Sequence, residues 1–279
     1  MKVLRAQCAG ACYGVQRALD AAFEANEQHD QVFTWGALIH NPQVVEELER
    51  EGIEVARSLE QLPEGSTVIV RSHGVPPSVL RALKGAGAAV VDATCPYVAR
   101  AQKAAARLAR EGCRVIIVGE AGHPEVEGIA AFAAEAGGKA DVVGSPADVP
   151  EGLYDPIGVV VQTTQRRENL DAVLGQLKAQ GLEPRVMDTI CAATAERQES
   201  AAKVAAEADA MVVIGGRNSS NTTRLAEICA AAAPHTYHVE SAAELDPAWF
   251  SGCATVGVTA GASTPESQIH AVEQKLREL

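Results

Sequence analysis

The sequence predicts an α/β protein of three similar small domains, each with a mainly parallel sheet flanked by helices, in a pseudo-threefold arrangement around a shared centre. Three observations predict it. Short apolar, β-branched runs (Val68-Ile69-Val70, Val115-Ile116-Ile117-Val118, Val159-Val160-Val161, Met211-Val212-Val213-Ile214 and Thr255-Val256-Gly257-Val258) alternate with Ala-rich stretches. Runs apolar on both faces, each followed by a helix, mark parallel strands in α/β units. Cys12, Cys95 and Cys191 each open a helix-like stretch and cut the 279-residue chain into three parts of similar length. Finally, Val90-Val91-Asp92-Ala93-Thr94-Cys95 and Val186-Met187-Asp188-Thr189-Ile190-Cys191 share Val, Asp and Cys in register. The expected domains are residues 13–95, 96–190 and 191–279, the last completed by residues 1–12.

The helices follow from composition. In the stretch from Tyr97 to Leu108 good helix formers dominate, and Arg100, Lys103 and Arg107 share one solvent-facing stripe. Gly137-Gly138 and Pro150-Glu151-Gly152 read as ordinary turns, and no low-complexity linker separates the parts. In open parallel sheets ligands bind beyond the carboxyl ends of the strands. Those ends carry Thr34-Trp35-Gly36 leading to His40-Asn41-Pro42, then Arg71-Ser72-His73-Gly74 and Gly119-Glu120-Ala121-Gly122-His123-Pro124-Glu125. The later ends carry Gln162-Thr163-Thr164, Gly215-Gly216-Arg217-Asn218-Ser219-Ser220-Asn221 and Thr259-Ala260-Gly261-Ala262-Ser263. Small hydrogen-bonding residues beside glycine suit a pocket that wraps an anion in neutral donors and helix N-termini. Arg71 and Arg217 are expected to add charge there. The lysine-tipped phosphate loop Gly-x-x-x-x-Gly-Lys-Ser/Thr is missing, which argues against a nucleotide hydrolase.

Composition excludes other classes. A net charge of −12 argues against a general nucleic-acid surface. No apolar run approaches the roughly 18 residues of a membrane span. Seven cysteines are too few for a disulfide scaffold in 29.1 kDa, and the first residues lack the pattern of a signal peptide, so a cytoplasmic protein with reduced thiols is expected.

Any one free cysteine is most often an inert core thiol, and Cys113, Cys229 and Cys253, beside strands or within an apolar helix, fit that reading. Cys12, Cys95 and Cys191 differ because each stands where a helix begins, the position at which the helix dipole favours thiolate. With no Cys-x-x-Cys, they suit neither a zinc ribbon nor a ferredoxin run; they suit an iron-sulfur cluster with three ligands and one free iron. Cys8 offers one more thiol just upstream; of the three roles open to it, a spare, a fourth ligand or a neutral bystander, the last is preferred.

Over nearly its whole length the chain resembles the 4-hydroxy-3-methylbut-2-enyl diphosphate reductases. The matching segments are Cys12-Tyr13-Gly14-Val15-Gln16-Arg17-Ala18, His40-Asn41-Pro42, Ser72-His73-Gly74-Val75, Asp92-Ala93-Thr94-Cys95-Pro96 and Gly122-His123-Pro124-Glu125-Val126-Glu127-Gly128, followed by Gln162-Thr163-Thr164, Asn218-Ser219-Ser220-Asn221 and Gly257-Val258-Thr259-Ala260-Gly261-Ala262-Ser263. The resemblance implies that Cys12, Cys95 and Cys191 ligate one 4Fe-4S cluster with an open apical iron. It implies that His40, His73, His123, Thr163, Ser219, Ser220, Asn221 and Ser263 line the pocket for an allylic diphosphate, and that Glu125 is the proton donor. It also implies reductive dehydroxylation to isopentenyl and dimethylallyl diphosphate, the last step of the non-mevalonate isoprenoid pathway, with electrons from a ferredoxin- or flavodoxin-type protein. A monomer is expected. The chain departs from the family pattern at Ala11 and Tyr13, where Phe and Ala are usual.

Plainer readings exist for each residue. Ser219, Ser220 and Asn221 are good helix caps, Glu125 is a favourable first-turn acid, and a lone His is usually a solvated surface group. On that ground His29, His235, His238 and His270 are read as surface. Two rivals share the donor set: an open-iron hydro-lyase, which needs no reductant, and a non-enzymatic iron-sulfur sensor, which needs an output surface.

Overall fold

The computed structural model describes all residues 1–279. The strands are β1 (Lys2–Arg5), β2 (Val32–Trp35), β3 (Ile53–Ala56), β4 (Thr67–Val70), β5 (Ala89–Asp92), β6 (Arg114–Val118), β7 (Ala140–Val143), β8 (Ile157–Val161), β9 (Arg185–Met187), β10 (Ala210–Ile214), β11 (Thr236–Val239) and β12 (Thr255–Ala260). The helices are α1 (Tyr13–Gln28), α2 (Pro42–Arg50), α3 (Pro77–Gly85), α4 (Pro96–Arg110), α5 (Pro124–Glu135), α6 (Arg167–Ala179), α7 (Ala192–Ala205), α8 (Ser220–Ala232) and α9 (Glu266–Glu278). All five sequence-predicted strands form.

The strands make three four-stranded parallel sheets, ordered β3-β2-β4-β5, β7-β6-β8-β9 and β1-β12-β10-β11. The orders are one pattern used three times. In each sheet the first two strands of the set pair, the third lies on the other side of the first, and the last lies at the edge. For the third sheet that edge strand is β1, paired with β12 from Lys2↔Thr255 to Arg5↔Val258. The edge strands β5, β9 and β1 are the ones that run toward Cys95, Cys191 and Cys12.

The chain divides into two compact units. One comprises Met1–Gln16, Ile39–Glu47 and Ala192–Leu279 and holds the third sheet; the other comprises Arg17–Leu38 and Leu48–Cys191 and holds the first two. In the first unit the sheet is packed on both faces. Val212, Ile214, Val256 and Val258 meet Ile269, Val272 and Leu276 of α9, while Met211 and Val213 meet Ala201 and Ala205 of α7 and Leu225 and Cys229 of α8. In the second unit Val115, Ile117 and Val160 face Ala101, Ala105 and Leu108 of α4 and Ile129 of α5, and Ile116, Val118, Val159 and Val161 face Leu170, Val173 and Leu177 of α6. Burial on both faces is why these strands carry continuous apolar runs, since successive side chains point to opposite sides. Gly158 in β8 lets α4 lie close, because a Cβ there would stand 2.8 Å from a Leu108 methyl. Cys113 and Cys229 are buried core thiols, and Cys253 is half-buried against the core, as expected. No helix is long and apolar enough to cross a membrane.

Candidate active site

The three cysteines predicted to be ligands form no disulfide, are half-buried and lie in matching backbone settings. Each directly precedes a helix: Cys12 accepts the Gln16 N–H ahead of α1, Cys95 is the N-cap of α4, and Cys191 precedes α7. Each also donates its own backbone N–H to a carbonyl two residues beyond a central strand. Cys95 N donates to Ser72 O (2.9 Å) after β4, Cys191 N to Thr163 O (3.0 Å) after β8, and Cys12 N to Ala262 O (3.0 Å) after β12. The repeated Asp explains the two similar loops. Asp92 Oδ1 accepts the Thr94 N–H at 3.0 Å and Asp188 Oδ1 accepts the Ile190 N–H at 3.2 Å, turns that end the edge strand and aim the chain at the helix start. The loop before Cys12 has no such Asp and runs through Gly10 at φ 101, with the Cys8 N–H donating to Ser200 Oγ at 3.2 Å. Within neither unit do three or more His, Cys, Asp or Glu side chains gather as they would around a single metal ion. The donor set is three cysteine sulfurs at helix starts, soft ligands that fit an iron-sulfur cluster with three protein ligands.

In the second unit Glu125 is 2% exposed, at the second position of α5. Thr163 holds both of its oxygens, donating its N–H to Oε1 at 2.7 Å and its hydroxyl to Oε2 at 2.9 Å. Burial pushes the carboxyl up to about 7 and prevails over the Thr163 hydrogen bonds, which act in the lowering direction. Since the Thr163 carbonyl also receives the Cys191 N–H, one residue ties the acid to one of the predicted ligands.

His123 caps α5, its Nδ1 accepting the Glu125 N–H at 3.1 Å, which leaves the ring proton of the neutral form on Nε2. Burial, reinforced by the nearby Arg71 guanidinium, pulls His123 down to about 4, so it is neutral at physiological pH. His73 meets it edge-on, with ring centroids 5.7 Å apart. Arg71 is half-buried, its Nε donating to Gly74 O at 3.4 Å, and Gly36 makes room for it: a Cβ there would fall 2.8 Å from Nη1. Burial holds Arg71 below the usual guanidinium range.

In the first unit the predicted residues form a cradle of neutral donors. Ser219 is the N-cap of α8, and Ser219, Ser220 and Asn221 are all buried. Both polar atoms of the Asn221 carboxamide are buried without a hydrogen-bond partner, an arrangement that costs free energy unless a ligand supplies one. Ser263 Oγ donates to His40 O at 3.0 Å, and the backbone of Gly216 passes so close to that carbonyl that a Cβ would stand 2.7 Å from it. The loops carrying His40, Ser263 and Ser219 are thus gathered in one place. Asn41 belongs to the His40-Asn41-Pro42 segment but is not among the expected site residues, yet its Nδ2 donates to Ser263 O (2.9 Å) and to Gln268 Oε1 (3.0 Å), holding the His40 and Ser263 loops together.

Two expectations are corrected. Arg217 does not lend charge to a pocket: it is exposed and ion-pairs with Glu244 and, at 3.4 Å, Glu240. His238 is not a free surface group, because it lies half-buried on β11 with Nε2 2.8 Å from Gly215 O.

The family model described as LytB protein matches residues 3–277. A curated protein of Pelobacter propionicus named 4-hydroxy-3-methylbut-2-enyl diphosphate reductase is 47% identical over 280 residues, spanning 100% of this chain and 99% of its own. One of the same name from Aquifex aeolicus is 44% identical over 99% of this chain and 96% of its own. A solved (E)-4-hydroxy-3-methyl-but-2-enyl diphosphate reductase, described as the terminal enzyme of the non-mevalonate pathway, is similar at a TM-score of 0.74 and 43% identity, with both chains covered in full. The Plasmodium falciparum reductase structure is similar at a TM-score of 0.92 and 25% identity, over 98% of this chain and 87% of that one. With full-length matches in sequence and fold, this chain belongs to the LytB family of 4-hydroxy-3-methylbut-2-enyl diphosphate reductases.

Proposed function

We propose that this chain removes the hydroxyl of 4-hydroxy-3-methylbut-2-enyl diphosphate by two-electron reduction, giving isopentenyl and dimethylallyl diphosphate. The C–O bond breaks, two electrons enter, one proton leaves with the oxygen as water, and a second protonates the allylic fragment at either end. We assign Cys12, Cys95 and Cys191 to a 4Fe-4S cluster. When bound, such a cluster supplies an open Lewis-acidic iron for the hydroxyl oxygen and electrons one at a time.

The observation that carries the reading is the Glu125–Thr163–Cys191 connection, a buried carboxyl at about 7 fixed to the backbone of a predicted ligand. A carboxyl with that value still holds a proton near neutral pH, which suits a general acid for a departing hydroxide. Thr163 orients the acid, and the neutral His123 offers an Nε2–H donor without drawing Glu125 into a permanent ion pair. Ser219, Ser220, Asn221 and Ser263 at the start of α8 and beside it, with His40, suit a diphosphate: hydroxyls, a carboxamide and a helix N-terminus bind anions without a lysine loop. His73 completes the donors beside His123.

We also assign domain limits at residues 13–95, 96–190 and 191–279, the last with residues 1–12, a division supported by the pairing of β1 with β12. The electron source in this reading is a ferredoxin- or flavodoxin-type protein, and the working form is a cytoplasmic monomer.

The test is anaerobic reconstitution with iron and sulfide, followed by Mössbauer spectroscopy and turnover with and without a one-electron reductant. A four-iron signal with one distinct iron that shifts on adding the allylic diphosphate, and product formation only with reductant, are expected. Turnover without reductant points to a hydro-lyase, and a cluster-loaded protein inert toward the diphosphate points to a sensor; either result rejects the proposal.

A further inference from the structure

Each helix that follows a cysteine carries, on its second turn, an arginine that donates to the loop leading into the next cysteine. On α1, after Cys12, Arg17 Nη1 donates to Thr94 O at 3.0 Å, one residue ahead of Cys95, and its Nη2 stands 3.5 Å from Asp92 O. On α4, after Cys95, Arg100 Nη2 donates to Asp188 O at 3.0 Å, in the turn ahead of Cys191. On α7, after Cys191, Arg197 Nη2 donates to Gly10 O at 2.8 Å, ahead of Cys12, while its Nη1 holds Ala193 O of its own helix at 3.0 Å. The three contacts close a cycle in sequence order: first helix to second loop, second helix to third loop, third helix to first loop.

Their settings differ widely, which makes the shared pattern harder to attribute to ordinary surface packing. Arg197 is 5% exposed, Arg17 is half-buried and Arg100 is exposed. A long cationic side chain at an exposed site loses conformational freedom when it is tied to a carbonyl, so a surface arginine has little reason to be held so. The target in each case is a main-chain carbonyl, not a carboxylate, so what is fixed is the path of the loop. The loops are also the parts of the cysteine settings that the repeated strand pattern does not itself define. Two use an Asp turn and the third, through Gly10, does not, yet all three receive an arginine.

We propose that Arg17, Arg100 and Arg197 are positioning residues, each holding the loop that presents the next cysteine, so that the path of each cysteine loop is fixed before any cluster is bound. This rests on the reading of Cys12, Cys95 and Cys191 as cluster ligands, but the preorganisation belongs to the chain itself. A guanidinium suits the task because its donors lie in a rigid plane and stay charged at all working pH values, and hydrogen bonds from charged donors are roughly twice as strong as neutral ones.

The test is amide hydrogen exchange on the full-length, cluster-free chain with single alanine variants. Arg100→Ala is expected to speed exchange about tenfold at residues 188–191, the effect of losing one charge-assisted hydrogen bond, and to leave residues 92–95 and 10–12 at the wild-type rate. Arg17→Ala is expected to act in the same way on residues 92–95 alone, and Arg197→Ala on residues 10–12 alone. Arg100 is exposed, so its variant folds even if loss of the buried Arg197 does not permit folding. Arg100→Lys, which keeps a charged donor at similar reach, is expected to restore protection. In the reconstituted protein Arg100→Ala is expected to lose iron to a chelator about tenfold faster, with Arg100→Lys recovering the wild-type rate, as for other groups that orient metal ligands. Unchanged exchange, faster exchange spread over all three loops, or no rescue by lysine would overturn the proposal. Wild-type protein that takes up no cluster while the paired exchange pattern holds would instead reject the cluster reading and leave the loop function standing.

Discussion

The starts of α5 and α8 are the same device with different endings. Both follow a glycine-rich turn at the end of a central strand, and both have a side-chain N-cap, His123 in one and Ser219 in the other. The second helical position holds Glu125 in the first case and Asn221 in the second, both nearly fully buried. A helix N-terminus favours negative charge, so at Asn221 the site is left neutral and open to an anion from outside. At Glu125 the anion would be the protein's own, and burial opposes it strongly enough to keep a proton there near pH 7. In the proposed reading, one carbonyl substituent, amide or acid, separates an anion-binding helix start from a proton-bearing one.

A single substitution makes the start of α5 resemble that of α8. Glu125→Gln preserves size and the acceptor for the Thr163 N–H but removes the proton. Turnover is expected to fall by about 10²- to 10⁴-fold, the usual worth of a positioned acid, while KM stays within about threefold. Wild-type turnover in steady-state assays would take Glu125 out of the chemistry.

The same variant has a consequence for stability that needs no substrate. The folded-state value of Glu125 lies above its ordinary 4.5, so the fold binds this proton more tightly than the unfolded chain does. Its contribution is therefore fully present below about 4.5, is lost as pH rises toward about 7, and levels off above that. Glu125→Gln has no such penalty. In denaturant titrations of the cluster-free chain its advantage over wild type is expected to grow through that window and level off near about 3 kcal/mol above it, because each tenfold difference in proton affinity between folded and unfolded chain is worth about 1.4 kcal/mol. A difference that stays flat with pH would mean the carboxyl is not held protonated.

The converse substitution, Asn221→Asp, makes α8 resemble α5. If the Asn221 site receives a diphosphate, a carboxyl placed among its donors opposes like charge and KM is expected to rise about 10- to 100-fold, with a smaller change in turnover. Isothermal titration with inorganic pyrophosphate checks the binding effect apart from turnover, and equal affinity in the two proteins would remove Asn221 from the anion site.

How much of this is legible in the sequence differs by residue, for physical reasons. The cysteine loops are readable because a strand repeat, an Asp turn and a helix start are all local. The three sheets follow from runs apolar on both faces. The Glu125–Thr163 bond is not readable from the residues, since it depends on β6 and β8 lying side by side, a pairing made at long range. The strand-end pattern reaches Thr163 only as one of Gln162-Thr163-Thr164 and the resemblance picks it out, while Asn41 is not named as a site residue even though it sits beside His40 in a matching motif. Arg217 misleads because the carboxylates that take up its charge, Glu240 and Glu244, come from the end of β11 and the turn beyond it. The helical pattern places Arg100 correctly toward solvent, yet exposure says nothing of the carbonyl it reaches.

The smallest effect tests whether Thr163 or burial sets the acid. Thr163→Val keeps the shape and the backbone N–H to Oε1 but deletes the hydroxyl donated to Oε2. Because that hydroxyl lowers the Glu125 value, its loss leaves burial less opposed and moves the carboxyl further upward. If turnover needs Glu125 protonated, the alkaline limb of kcat is expected to move to higher pH by less than about one unit, with the plateau reduced only a few-fold, since one hydrogen bond of about 1 kcal/mol is involved. At pH 8 the variant then gains relative to wild type, while at pH 6 it does not. A kcat that instead rises with pH through this window, with the rising limb shifted upward in the variant, would show that the deprotonated carboxylate is the active form, which would turn Glu125 from the donor of a proton into its acceptor.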